Sequence, residues 1–84
     1  ENPYFTDAYY NLAVGLGLTN QRDEAILYLK KVLEIDPLHI PARVNLGILY
    51  GQTNRLEEAM HELQRVLQID PLNPTALSLM EHLR

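Results

Sequence analysis

The sequence predicts an all-α solenoid of antiparallel helix pairs, with about five helices: two full repeats plus a C-terminal capping helix. One observation is a repeated stretch, because NQRDEAILYLKKVLEIDPL at 20–38 returns as NRLEEAMHELQRVLQIDPL at 54–72. A second is the extent of the similarity, since 15 of the 34 positions are identical when 6–39 is aligned with 40–73. The third is that apolar residues inside each copy follow helical rather than strand spacing.

The 34-residue period divides the chain into four parts. We expect residues 1–5 to be the tail of a preceding repeat, 6–39 and 40–73 to be full repeats, and 74–84 to be a partial repeat that forms a capping helix. Three prolines recur at the same spacing: Pro3, Pro37 and Pro71. In the last part, polar Glu81 replaces a small residue of the full repeats, which suits the outer face of a cap.

The first helix of each unit is predicted from an apolar stripe followed by a turn signal. The stripe of the first unit has five members: Ala8, Tyr9, Leu12, Ala13 and Leu16. The letters GLTN then interrupt the pattern, and an asparagine stands at the same place in both units. Because asparagine tolerates the left-handed conformation that ends helices, we expect it at Asn20 and Asn54.

The second helix of each unit has acidic residues at its start and a proline after its end. Asp23 and Glu24 fall in the first turn, where carboxylates favour the positive end of the helix dipole. The letters IDP end the helix, because the residue before proline avoids helical conformation. Asn73 before Pro74 predicts the cap of one more helix. The expected bounds of the five helices are 6–18, 22–35, 40–52, 56–69 and 74–83.

Composition and charge argue against several classes of function. The net charge of −4 and seven scattered basic residues disfavour nucleic acid as a partner, since phosphate neutralisation needs clustered Lys and Arg. The chain has no cysteine, so disulfides and thiolate metal sites are excluded. No 18-residue apolar run is present, which predicts no membrane insertion.

No pattern of residues predicts chemistry. The letters HELQR at 61–65 miss the zinc motif His-Glu-x-x-His because Arg65 stands where the second histidine must be. Glu57 and Glu58 open a predicted helix, and its dipole explains them without acid–base catalysis. We therefore predict that the chain is not an enzyme, with no catalytic residue, no metal site and no cofactor.

The chain resembles the tetratricopeptide repeat family, whose unit favours Trp-x-x-Leu-Gly-x-x-Tyr, then Ala, an aromatic residue, Ala and Pro. The matching positions of the first unit hold Tyr9, Leu12, Ala13, Leu16, Ala25, Leu29, Val32 and Pro37. Those of the second unit hold Arg43, Leu46, Gly47, Tyr50, Ala59, Leu63, Val66 and Pro71. Arg43 departs from the usual aromatic residue. We expect Gly47 and Ala59 to lie where two helices approach closely, because larger side chains would separate the helices.

The resemblance implies a right-handed superhelix whose concave side is lined by the first helix of each repeat and binds an extended or helical peptide. Carried over by position, the implied partner-binding residues are Asp7, Tyr10, Val14, Leu18, Val44, Ile48, Gln52, Ser78 and His82. The predicted function is a protein–protein interaction scaffold that binds a peptide, a helix or another copy of itself. Recognition of a terminal carboxylate is disfavoured, because Tyr10 and Val14 stand where a carboxylate clamp has Lys and Asn.

Two other functions stay open at this point. The chain fits the repeat region of a larger multidomain enzyme, such as a glycosyltransferase, in which the repeats present substrates. It also fits a purely structural scaffold that builds a homo-oligomer, since the first helix has no upstream neighbour and Leu27 and Tyr28 make the convex face of the first unit apolar. Alternatively, Tyr28 lies over its neighbours within the chain, with its hydroxyl in water. The sequence names neither the partner nor the compartment, for which cytoplasm is only the default.

Overall fold

The computed structural model describes residues 3–83, which form five α-helices and contain no strand. The helices are α1 (Pro3–Leu18), α2 (Arg22–Ile35), α3 (Ile40–Gln52), α4 (Leu56–Ile69) and α5 (Pro74–Leu83). The closest packing is within the pairs α1–α2 and α3–α4, while α2–α3 and α4–α5 join successive units. The predicted all-α repeat solenoid is therefore confirmed.

The bounds of α2 to α5 are those predicted, but α1 begins at Pro3 rather than at residue 6. The difference follows from the residue in the capping position. His39 Nδ1 accepts a hydrogen bond from the Ala42 amide at 3.1 Å, which caps the start of α3. Asn73 does the same for α5. The equivalent position in the first unit is Phe5, which has no acceptor and so does not stop the helix from extending toward the amino terminus.

The turn inside each helix pair is the same in both repeats. Asn20 has φ 64° and Asn54 has φ 62°, so both predicted left-handed residues are confirmed. The amide of the following residue closes the turn, with Gln21 N donating to Leu16 O at 2.8 Å and Arg55 N donating to its equivalent carbonyl at 2.7 Å. Identical turns place α2 against α1 in the same way as α4 against α3.

The predicted close approach of paired helices is confirmed at Gly47. A Cβ atom there would lie 2.9 Å from Leu63 Cδ2 and 3.7 Å from the carbonyl oxygen of Ala59. Ala59 and Leu63 are both fully buried. A side chain at residue 47 would therefore require Leu63 to move, so the absence of a Cβ there suits the close packing of α3 on α4.

The apolar stripe expected on α1 is only partly buried. Ala13 is in the core, but Ala8 is exposed and Leu12 is 46% exposed. The equivalent Ala42 and Leu46 of the second repeat are fully buried. The reason is that α2 covers the stripe of α3, whereas no described helix covers the stripe of α1.

Candidate protein-interaction groove

The first helices of the repeats, α1, α3 and α5, line one side of the molecule and leave two neighbouring cavities there. The first cavity, of about 190 Å³, is lined by Ala13, Val14, Gly17, Leu18, Leu29, Asn45, Ile48, Leu49 and Gln52. The second, of about 260 Å³, is lined by Gly47, Ile48, Gly51, Gln52, Leu79, His82 and Leu83. Both sets include Ile48 and Gln52, one turn apart on α3. The two cavities therefore form one surface, called the groove below.

Five of the nine predicted partner-binding residues line the groove. They are Val14, Leu18, Ile48, Gln52 and His82. Leu18 is 81% exposed at the end of α1, and Ile48 is half-buried at the centre. An exposed leucine and a central isoleucine give the groove apolar surface that a partner can cover.

Tyr10 lies beside the groove and joins two helices. Asn45 Nδ2 on α3 donates a hydrogen bond to Tyr10 Oη on α1 at 3.0 Å. The Tyr10 ring also packs on the His39 ring, with 5.1 Å between the ring centroids. Because both contacts leave Tyr10 half-buried, its place in the structure is a link between the first helices of the two repeats.

The other predicted residues do not line either cavity. Val44 is half-buried and packs against the core cluster of Leu63, Val66 and Ala76. Asp7 and Ser78 are exposed on the first and last helices. The structure therefore does not bring these three residues into the groove.

Several groove residues were not among the predicted partner-binding residues, including Leu29, Asn45, Leu79 and Leu83. The period makes Leu83 equivalent to Leu49 and Leu79 equivalent to Asn45, but Leu49 and Asn45 were not in the predicted set either, so the period gave no signal for them. Leu29 comes from the second helix of its repeat and reaches the groove floor between α1 and α3. A positional carry-over limited to first helices could not find it.

The groove has no ionised wall. None of the residues that line its two cavities is Asp, Glu, Lys or Arg. Arg22, at the start of α2, approaches one end, where its Nε donates to Gln52 Oε1 at 3.1 Å. The polar groups of the groove are thus mainly the amides of Asn45 and Gln52 and the imidazole of His82.

A third cavity, of about 360 Å³, differs from the groove in its chemistry, because charged side chains form most of its lining. Its walls are Lys30, Tyr50, Glu57, Glu58, His61 and Glu62, from α2, α3 and α4. Glu58 is paired with Arg55, whose Nε donates to Glu58 Oε1 at 2.8 Å, and this hydrogen bond lowers the pKa of Glu58. In the part of the chain that the structure describes, no group of three or more His, Cys, Asp or Glu could hold a metal ion. Between residues 3 and 83, no helix has the length and apolar character of a membrane span.

The junction between the two helices of a repeat is closed by different chemistry in the two units. In the first unit the rings of Tyr9 and Tyr28 pack with centroids 5.9 Å apart. The equivalent residues of the second unit are Arg43 and Glu62, which form an ion pair of 2.9 Å. Tyr28 thus packs on a neighbour within the chain, which was the alternative to a contact with another copy. Leu27 beside it is 55% exposed.

Comparison with known proteins shows the family. The tetratricopeptide repeat model matches residues 19–83, which is well over half of the chain. The chain belongs to the tetratricopeptide repeat family. Domains of this family are generally protein–protein interaction modules and typically act as non-catalytic scaffolds.

Among solved structures, the chain is similar to the Arabidopsis OM64 TPR domain. The two share 24% sequence identity with a TM-score of 0.89, over 94% of this chain and 65% of that one. At this identity the likeness shows a shared tetratricopeptide repeat fold and nothing about ligands. The chain spans just under two thirds of that solved domain. No curated protein sequence matches the chain.

Proposed function

We propose that the chain is a protein-interaction domain whose groove binds an apolar, uncharged segment of a partner protein, in helical or extended form. The observation that carries the proposal is the continuous surface around Ile48, where two cavities meet on the side formed by α1, α3 and α5. A tetratricopeptide repeat domain is generally a protein-interaction module, and this surface is the apolar concavity that the described chain offers.

The chemistry of the groove matches apolar side chains held by a few amides. Each cavity, of about 190 and 260 Å³, has room for an aliphatic or aromatic side chain of a partner. Burial of one such side chain is favourable by about 1.5–3 kcal/mol, so two of them supply a useful affinity. Asn45 and Gln52 can hydrogen-bond to the partner backbone and so set its direction.

The lack of ionised lining residues selects against charged ligands. A partner carboxylate placed beside Ile48 would lose hydration without gaining a counter-charge from the cavity lining, because Arg22 lies at one end of the groove on Gln52. This disfavours recognition of a terminal carboxylate and agrees with the substitution of Tyr10 and Val14 for clamp residues. The proposed ligand is therefore an internal segment with apolar anchors.

Selection of peptides from a displayed random library tests the proposal. We expect the chain to enrich sequences with two apolar anchors and no net charge at those anchors. Ile48→Glu should lower the affinity of the selected peptides at least ~10-fold, because a carboxylate at the centre of the groove disrupts both cavities. Binding should be measured by fluorescence anisotropy.

The matched control is Leu27→Glu, which places the same charge on an exposed apolar residue outside the groove. It should leave affinity unchanged while its helix content equals that of Ile48→Glu. Selected peptides that bind Ile48→Glu as well as the unchanged chain, or that require a free terminal carboxylate, would exclude the proposed mode. If Ile48→Glu instead abolishes dimers of the free chain, the groove serves self-association.

A further inference from the structure

The third cavity has a tyrosine hydroxyl in its lining that the rest of the described chain leaves unused. Tyr50, from α3, lines the cavity and is only 3% exposed, so the side chain is more than nine-tenths buried. Arg55 lies over its ring at 4.7 Å, but no described residue forms a hydrogen bond with Tyr50 Oη. No side-chain oxygen of the described chain is both fully buried and without a partner, so the exposed fraction of Tyr50 includes its hydroxyl. The hydroxyl therefore faces the cavity.

The first repeat shows that helix packing does not require this hydroxyl. The residue equivalent to Tyr50 there is Leu16, which is half-buried and packs against the core without a polar group. The wall residue Glu62 likewise corresponds to Tyr28, whose ring closes the first helix pair. The polar groups of the third cavity are thus not a general requirement of the repeat.

One wall of the cavity keeps a carboxylate oxygen that can accept a further hydrogen bond. Glu62 Oε1 accepts from Arg43 at 2.9 Å, and no group between residues 3 and 83 bonds to its other oxygen. Glu58 is different, because both of its oxygens accept from Arg55. The cavity thus offers a carboxylate oxygen as well as the hydroxyl oxygen to a ligand that donates hydrogen bonds.

The charges around the cavity favour a cation as this ligand. Glu57 is exposed at the start of α4 and forms no ion pair with the described residues, whereas the other two glutamates are paired with arginines. Lys30 enters the lining from α2, and no carboxylate of the described chain lies within ion-pair distance of it. Ammonium and guanidinium groups only donate hydrogen bonds, so they match acceptors of this kind. The volume of about 360 Å³ has room for the side chain of a lysine or an arginine.

We propose that the third cavity binds a lysine or arginine side chain of a partner protein, with Tyr50 Oη and Glu62 accepting its hydrogen bonds and Glu57 supplying the counter-charge. The long apolar stem of such a side chain lets its charged end reach a buried hydroxyl while the partner backbone stays outside. The cavity shares no residue with the two cavities of the groove. The proposal therefore does not depend on peptide binding in the groove.

NMR titration of the isotopically labelled chain with defined probes tests the proposal. The probes are acetyl-Gly-Lys-Gly-amide, its arginine counterpart and its norleucine counterpart, all at one ionic strength. We expect the two charged peptides to shift the amides of Tyr50 and Glu57, and the norleucine peptide, which has an apolar stem without the charge, to shift neither. The free diamine putrescine is a separate arm. Putrescine that binds at least ~10-fold more tightly than both charged peptides would overturn the assignment to a partner side chain.

Three variants separate the roles of the lining groups. Tyr50→Phe removes the hydroxyl and keeps the buried ring, and it should weaken binding of the lysine peptide ~5-fold through the lost hydrogen bond. Glu57→Gln should weaken it ~3-fold, because an exposed carboxylate makes a modest ion pair. Lys30→Gln should instead strengthen it ~2-fold, since a like charge leaves the lining.

The matched control is Asp7→Asn, which removes the same charge at an exposed residue that lines none of the three cavities. It should change the affinity less than ~1.5-fold, since it acts only through the net charge. Equal effects of Asp7→Asn and Glu57→Gln would overturn the proposal, because they would show a general attraction of cations to an acidic chain. Unchanged affinity in Tyr50→Phe, with the thermal midpoint of the unchanged chain, would overturn it as well.

Discussion

Glycine has opposite structural roles at two positions of the same molecule. Gly47 lies where α3 meets α4, and a Cβ there would be 2.9 Å from Leu63 Cδ2 and 3.1 Å from Leu63 Cγ. Gly15 lies on an exposed face of α1, where a Cβ would meet nothing within 4 Å. Both residues are helical, so they differ only in what surrounds them.

Alanine substitution at these two glycines should have effects of opposite sign. Gly15→Ala should raise the free energy of unfolding by ~1 kcal/mol, since alanine favours helix over glycine and the space is open. Gly47→Ala should lower it by up to ~2 kcal/mol, because buried Leu63 must move and the overpacking exceeds the gain in helix propensity. Urea unfolding of both variants measures this difference. A stabilising Gly47→Ala would mean that the pair α3–α4 is packed more loosely than described.

Some residue conformations could be predicted from residue type and others could not. The left-handed Asn20 and Asn54 follow from a local preference of asparagine at helix ends. The cap at His39 depends on which ring nitrogen faces the Ala42 amide, which sequence does not reveal. The hydrogen bond between Asn45 and Tyr10 depends on the distance between α1 and α3, so it needed the assembled structure.

At the scale of elements, the two helix pairs have the same geometry with different junctions. Tyr9 and Tyr28 close the first pair through their rings, while Arg43 and Glu62 close the second through an ion pair. The ion pair is well shielded, with 11% and 15% of the two side chains exposed, and Arg43 also donates to the Pro37 carbonyl. The junction thus accommodates either an aromatic pair or an ion pair, provided that both residues of the pair are of the same kind of chemistry.

A double-mutant cycle at Arg43 and Glu62 tests this interchange. Arg43→Tyr alone should lower the free energy of unfolding by ~1–3 kcal/mol, because it leaves a poorly hydrated Glu62 without its partner. Arg43→Tyr with Glu62→Tyr restores the aromatic pair of the first unit and should recover at least ~1 kcal/mol of that loss. Thermal and urea unfolding of the two single variants and the double variant give the coupling energy. Simple additivity of the single effects would show that the two junctions are not interchangeable.

The bounds of most elements were predictable because their signals are local. Turn asparagines, acidic first turns and the IDP stops lie within a few residues of the helix ends they determine. The start of α1 was not predicted, since the cap seen at His39 and Asn73 is replaced by Phe5. The exposure of Ala8 and Leu12 was not predicted either, because the burial of a stripe depends on the neighbouring helix and not on the stripe itself.

For the whole molecule, the 34-residue period explains both the groove and the uncovered face. On α3, one side lines both cavities of the groove and another side packs against the preceding second helix, α2. The family resemblance, carried over by position, was enough to assign Val14, Ile48 and His82 to the groove side. It could not place Leu29 there, because a contribution from a second helix appears only when the repeats are packed.

The central claim, that the groove side of the molecule receives the partner, is tested most directly by NMR mapping with one library-selected peptide. Amide shifts of the isotopically labelled chain are followed during titration at 25 °C. We predict that the largest changes fall at Val14, Ile48 and His82, with little change at Leu27 and His61, which line neither cavity of the groove. Changes concentrated at Leu27 and His61, or at the exposed Ala8 and Leu12 of α1, would contradict the account.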